Sequence, residues 1–199
     1  MMTLTYSADL TAGSLKTRES RILADLLLQE ADEQAWDKAI YDDNLLQTRN
    51  PATAKRLTRL IRNRLELMGP ELWRLVRDGS STVATHAALA AAVKHSHLLG
   101  DFLDTVVREQ FRLFSETLPK TLFDAYLQEC RSRDPEMPEF TEATCRKLQT
   151  TVYHILVQSG FLSDNRKLRL QPVRIADEVI RYLEDNNEDY VLRCIQVSP

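Results

Sequence analysis

The chain of 199 residues predicts an all-α protein. Three observations carry that expectation. Apolar side chains recur at the spacing of one helical face along nearly the whole length. Glycine and proline are few, at 5 and 7, which disfavours a sandwich, a barrel or a long disordered tail. The composition is 43% hydrophobic and 28% charged, enough apolar material for a sizeable core. The architecture expected is a compact multi-helix globular protein with helix-turn-helix elements, the C-terminal one winged-helix-like with a short β flap.

Leu15, Ile22, Leu23, Leu26 and Leu27 form one stripe on a first helix ending near Ala31. Trp36 and Ile40 begin a shorter helix that runs to about Asp43. Asn50 then suits an N-cap and Pro51 the first helical position of a helix that stops at Gly69-Pro70. Together, 36–43, the connector "NLLQTRN" and this helix make a loose helix-turn-helix pattern, its connector longer than usual. Glu71 to Val76 make a short helix closed by "DGSS". A long helical pattern covers Thr82 to about Ser115, with Gly100 either a break or a close-packing point. Pro119 opens a helix that stops before "SRDPEMPEF", whose prolines mark a linker. This divides the chain into an N-terminal module, 1–133, carrying the basic helix 51–68, and a C-terminal module, 134–199.

In the second module Cys145, Leu148, Val152, Ile155, Leu156 and Ser159 form a buried stripe, and Gly160 ends that helix. Lys167 to Gln171 alternate out and in after a Ser-Asp-Asn turn. Helix, turn and two-stranded flap is the order of a winged helix-turn-helix. Two short helices, about Val173–Glu184 and Glu188–Val197, finish the chain.

Charge is sorted along the sequence although the net charge is only -3. Arg49 to Arg64 holds six arginines and lysines and no acid, while 30–43 and 177–189 each hold six acids against one base. Such segregation creates a field that steers polyanions, unless the acidic and basic segments match each other internally. On the helix, Leu57, Leu60, Ile61, Leu67 and Met68 face one side. Lys55, Arg59 and Arg62 face the other, with Arg56 on the flank, and Arg49 with the helix N-terminus adds donors for phosphate. Arg64 points into the apolar side and is expected to snorkel or pair with a carboxylate.

A second polar face lies opposite the C-terminal stripe: Lys147, Thr150, Thr151, His154 and Gln158, with Arg146 to one side. Short polar and basic side chains of this kind suit a major-groove reader, and Arg166, Lys167 and Arg169 of the flap would lie beside the adjacent backbone. Winged helices also serve as protein–protein joints.

Nucleotide-binding, nucleophile-elbow and zincin motifs are absent, so no enzyme is expected. His95 and His97 stand too close on one helix to chelate from one face, so neither metal nor cofactor is expected, nor a small-molecule substrate. Cys130, Cys145 and Cys194 are odd in number and scattered, as for free thiols in a reducing cytoplasm. "MMTLTYSADL" has no basic n-region or apolar h-region, and no window offers the roughly 18 uninterrupted apolar residues of a membrane span.

The phrases "YSADLTAGSLKTRESRILADLLL", "WDKAIYDDNLLQTRNPATAKR", "LIRNRLELMGPELW", "HSHLLGDFLDTVVRE" and "YVLRC", in order along nearly the whole chain, resemble the BrxA family, small components of bacteriophage exclusion (BREX) defence systems. The resemblance implies an all-helical protein with helix-turn-helix elements, double-stranded DNA as partner beside other BREX proteins, and a part in host methylation and phage restriction. It transfers no list of functional residues. It also brings a likeness to an RNA-binding antitermination factor, which keeps RNA as an alternative, beside an assembly subunit that docks partners through the basic surface.

Overall fold

The computed structural model describes residues 6–198; residues 1–5, part of the stretch judged to lack a leader, and residue 199 lie outside the described residues. A 3-10 turn, Asp9–Ala12, is followed by α1 (Thr17–Leu28) and by α2 (Glu33–Asp37), which widens into a π-helical turn, Lys38–Asp42. Next come α3 (Pro51–Leu65), α4 (Pro70–Asp78) and α5 (Ser81–His95). α6 (His97–Asp101) continues through a π-helical segment, Phe102–Val107, into α7 (Arg108–Arg112). α8 (Thr121–Arg133), α9 (Glu142–Gln158), α10 (Asp177–Asp185) and α11 (Asp189–Ile195) complete the chain.

Local chemistry sets the starts. Asp32, Asn50, Ser80 and Thr141 accept from the backbone N–H of Ala35, Ala52, Val83 and Thr144, capping α2, α3, α5 and α9. Each such cap is worth about 1 kcal/mol. α5 is apolar on all sides, with Val83, Ala84 and every residue from His86 to Val93 buried, so it runs through the interior. Its alanines let α1, α3, α4, α10 and α11 approach closely.

Residues on both sides of the 133/134 boundary contribute to one apolar core. Polar contacts cross it too. Tyr182 Oη accepts from Gly69 N at 2.7 Å, and His86 Nδ1 accepts from Ala176 N at 3.1 Å. Burial pushes the His86 pKa down, keeping the imidazole neutral and able to accept. Asp101 accepts from Tyr6 Oη at 2.6 Å and from Tyr190 Oη at 2.9 Å, so one carboxylate joins the start, middle and end of the chain.

Four expectations need correction. The C-terminal unit is not a winged helix with a β flap, since the described residues form no strand. Among the described residues only two isolated antiparallel bridges occur, Thr117 with Arg169 and Leu162 with Leu170. Asp164 accepts from the N–H of Arg166 and Lys167, and Leu168 has φ 52°, so too little extended chain remains for a ladder. The alternation survives without it: Lys167 and Arg169 are exposed, Leu168 and Leu170 half-buried.

The long helix breaks at Ser96 rather than Gly100. Ser96 is extended, caps α6 by accepting from Leu99 N, and donates its hydroxyl to Asp9 at 2.7 Å. Leu67 falls beyond the end of α3 and is 44% exposed. The chain from Gln171 to Ala176 is not helical, so α10 begins later than the sequence pattern suggests.

Gly100 is a close-packing point: a Cβ there would lie 2.4 Å from Tyr190 Oη. Gly100→Ala therefore pushes Tyr190 off Asp101, and chemical unfolding should show about 1–3 kcal/mol of destabilisation. The penalty should shrink in a Tyr190→Phe background, and equal penalties in both backgrounds would place the strain elsewhere.

Candidate nucleic-acid interface

The α3 helix is amphipathic as expected. Ala54, Leu57, Leu60, Ile61 and Leu65 are buried, and Lys55, Arg56, Arg59 and Arg62 are exposed. Burying each leucine or isoleucine contributes about 1.5–3 kcal/mol, so packing holds the helix and leaves its cations free for other work. They are not equivalent. The Arg62 guanidinium sits 4.7 Å over the Trp36 ring and its Nε donates to Glu66 at 2.6 Å. Lys55, Arg56 and Arg59 have no ion-pair partner among the described residues, and Arg49 stands exposed just before the Asn50 cap. Among the described residues the acids of 30–43 and 177–189 form no ion pair with α3, although the segment Lys38–Asp42 packs against it.

Arg64 is 3% exposed and points inward, but its partners are not carboxylates. Its Nη1 donates to Ser14 O at 2.7 Å and its Nη2 to Gly13 O at 3.1 Å. Burial pulls its pKa down to about 10, which the nearby Asp9 charge partly offsets. The guanidinium thus pins the segment before α1 onto α3. Leu15 N of the same segment donates to Gln158 Oε1 of α9 at 3.1 Å.

That segment brings the two basic faces together. A groove of about 310 Å³ is lined by Lys16 beside Thr11–Ser14, by Thr53 and Arg56 of α3, and by Lys147, Thr150, Thr151 and His154 of α9. A neighbouring hollow of about 370 Å³ shares Arg56 and adds Arg59, Asn63, Asp9 and His95. Lys16 belongs to this cationic patch although the sequence did not single it out. It follows the pinned Ser14 by two residues, and only the tertiary fold places it there.

The other expected residues lie outside the groove. Arg146 pairs with Glu142 along α9, and its carbonyl accepts from the hydroxyl of Thr150, which does line the groove, at 2.8 Å. Arg166 and Lys167 are exposed on the turn held by Asp164, and Arg169 is exposed opposite Thr117. Gln149 Nε2 donates to Lys120 O and Asp124, and Tyr153 Oη donates to Pro119 O at 2.8 Å, fastening α9 to the start of α8 on its other side.

No group of three or more His, Cys, Asp or Glu side chains is arranged to hold a metal among the described residues, and no helix is long and apolar enough to cross a membrane. Cys130, Cys145 and Cys194 are free thiols.

The sequence profile of the BrxA family matches residues 4–187. A protein of Paramagnetospirillum magneticum named BREX protein BrxA is 57% identical over 193 residues, covering 97% of each chain. One of the same name from Escherichia coli is 32% identical over 179 residues, 90% of this chain and 84% of the other. A crystal structure of a protein from Magnetospirillum magneticum superposes with a TM-score of 0.91 at 55% identity, covering 97% of this chain and 99% of the other.

Removing the pin while keeping bulk, as in Arg64→Met, leaves two carbonyls without donors. Urea unfolding should register a loss of about 3 kcal/mol, whereas Arg56→Gln should change stability by no more than about 0.5 kcal/mol. A loss below about 1 kcal/mol at Arg64 would mean that the segment is held by other contacts.

Proposed function

The chain belongs to the BrxA family of BREX components, and on that premise we propose that it is a double-stranded DNA-binding accessory protein that catalyses nothing itself. The observation that carries this is the convergence of Lys16, Arg56, Lys147 and His154 on one groove between α3 and α9, with Thr11, Thr53, Thr150 and Thr151 beside them. Long cationic side chains are usual donors to phosphate oxygens. The Thr53 and Thr151 hydroxyls can add to them, those of Thr11 and Thr150 being already donated to the carbonyls of Ala8 and Arg146. Unpaired Lys55, Arg59 and Arg49 extend the cationic surface along α3, and Arg166, Lys167 and Arg169 extend it beyond α9. Arg62, held by Trp36 and Glu66, contributes to the field more than to contact.

In this reading the N-terminal module, 1–133, supplies α3 and the C-terminal module, 134–199, supplies α9. A duplex presents one negative charge about every 1.7 Å of axis, so cations along two helices can follow its backbone with little regard to sequence. The protein works in the cytoplasm with other BREX proteins, which perform the methylation and restriction chemistry. No small-molecule substrate or cofactor enters its role. RNA binding and docking of an acidic partner are the competing uses of the same surface.

Titration of a random-sequence duplex at several salt concentrations tests the reading. Neutralising five phosphates gives a slope of log K against log salt near -4.5, about -0.9 for each phosphate. Arg56→Gln and Lys147→Gln should each weaken binding. The double variant should lose less than the sum of the two, because both side chains face one groove. Absence of duplex binding at low salt overturns the proposal, and stronger competition by structured RNA than by duplex DNA transfers it to RNA.

A further inference from the structure

At the end of α7 the chain turns with two apolar side chains in solvent. Phe114 is 91% exposed and Leu113 62%. The Phe114 backbone has φ 53°, a conformation that a bulky side chain rarely adopts. The turn is nevertheless fastened. Leu113 N donates to Glu109 O at 2.9 Å, Phe114 N to Phe111 O at 3.1 Å and Ser115 N to Gln110 O at 2.9 Å. Ser115 Oγ donates to Gln110 Oε1 at 2.8 Å. The pair is therefore presented on a fixed corner. Strained backbone at a fixed, exposed corner is a recurrent feature of functional sites.

The corner belongs to the same rigid block as the cations of the turn and of α9. Leu170 N donates to Glu116 O and Leu118 N to Leu168 O, both at 2.9 Å, so residues 116–118 run against 168–170. Tyr153 Oη donates to Pro119 O, and Lys120 lies 6.0 Å over the Tyr153 ring, tying this strip to α9. Arg112, Lys120, Arg166, Lys167 and Arg169 are all exposed on this block. Among its acids, Glu109 is 4.0 Å from Arg112, and Asp164 accepts from two backbone N–H groups; Glu116 has no ion-pair partner among the described residues. Protein–protein interfaces are enriched in phenylalanine and arginine but depleted of lysine, and this block also presents Lys120 and Lys167. An exposed phenylalanine set among cations instead matches a polyanion that also offers an apolar slot, and a stack of base pairs is one.

We propose that Leu113 and Phe114 form a wedge that enters between base steps of duplex DNA and kinks it, while Arg112, Lys120, Arg166, Lys167 and Arg169 hold the flanking phosphates. This rests on the DNA-binding reading and adds to it a deformation of the duplex. Neither wedge residue is buried, so Leu113→Ala with Phe114→Ala should leave the thermal unfolding curve unchanged.

The test is energy transfer between dyes at the two ends of a duplex about three helical turns long, at saturating protein. The wild-type protein should raise the transfer efficiency. The double variant should still bind, about tenfold more weakly, with the same salt slope because no cation is lost, and should leave the duplex straight. Phe114→Trp should keep the bend. A straight duplex under bound wild-type protein, or an equal bend with the double variant, overturns the wedge. A double variant that bends DNA normally but loses a BREX protein partner also overturns it and assigns the corner to protein contact. No wild-type binding at all is a distinct failure, that of the DNA reading itself.

Discussion

The buried guanidinium of Arg64 is the constraint on which the interface depends. A charge inside an apolar core is costly unless it is hydrogen-bonded, and here the carbonyls of Gly13 and Ser14 satisfy two of its N–H groups. Those carbonyls gain donors that the irregular chain before α1 does not otherwise provide. Gly13 permits the approach, since a Cβ there would lie 3.2 Å from Leu60. The same segment bonds through Leu15 N to Gln158, so a single strip of backbone sets the spacing of α3 and α9. Lys16, Arg56 and Lys147 share a groove because that strip is held on both sides.

Two acids sit at this strip, Asp9 in the hollow beside Arg56 and Arg59 and Glu19 at 3.9 Å from Lys16, while others serve local structure away from it. Asp32 caps α2, Asp177 lies beside Arg174, and Glu188 bonds to Lys94. Asp101 is taken by two tyrosines and Asp104 by Arg108 and Arg193. Several carboxylates are thus engaged by helix caps, hydroxyls and other cations, leaving Lys55, Arg56 and Arg59 without an ion-pair partner among the described residues. A chain of net charge -3 can present a cationic surface when its acids are engaged elsewhere.

Much of α3 was legible in the residues themselves. The Asn50-Pro51 start, the outward cations and the inward Arg64 all follow from capping and periodicity, which are local, whereas the helix stops at Leu65, short of Gly69-Pro70. Features that depend on distant partners were not legible. The Arg64 acceptors are carbonyls, which no residue code announces. The break at Ser96 answers to Asp9, and the flap fails through the Asp164 side chain and the Leu168 φ. Phe111 and Phe114 stand three apart like a buried stripe, yet the left-handed turn at Phe114 leaves Phe111 half-buried and puts Phe114 in solvent. The shared groove needed the fold, because periodicity assigns a face to each helix but not the distance between two faces.

The surroundings of α9 also argue for phosphate contact over base reading in the proposed complex. A recognition helix about 10–12 Å across must enter a major groove about 12 Å wide, so it has to stand clear of its own protein on both flanks. α9 does not. Segment 11–16 rises along the side bearing Lys147, Thr151 and His154, and the start of α8 is bonded to the opposite side through Gln149 and Tyr153. The outer stripe of α9, Glu142, Arg146, Lys147, Thr150 and His154, stays exposed between these flanks, but Arg146 is paired with Glu142 and the Thr150 hydroxyl is donated to the Arg146 carbonyl. The long cations at the groove, Lys16, Arg56 and Lys147, therefore reach a phosphate backbone before a short side chain reaches a base edge, which favours a grip that tolerates many sequences.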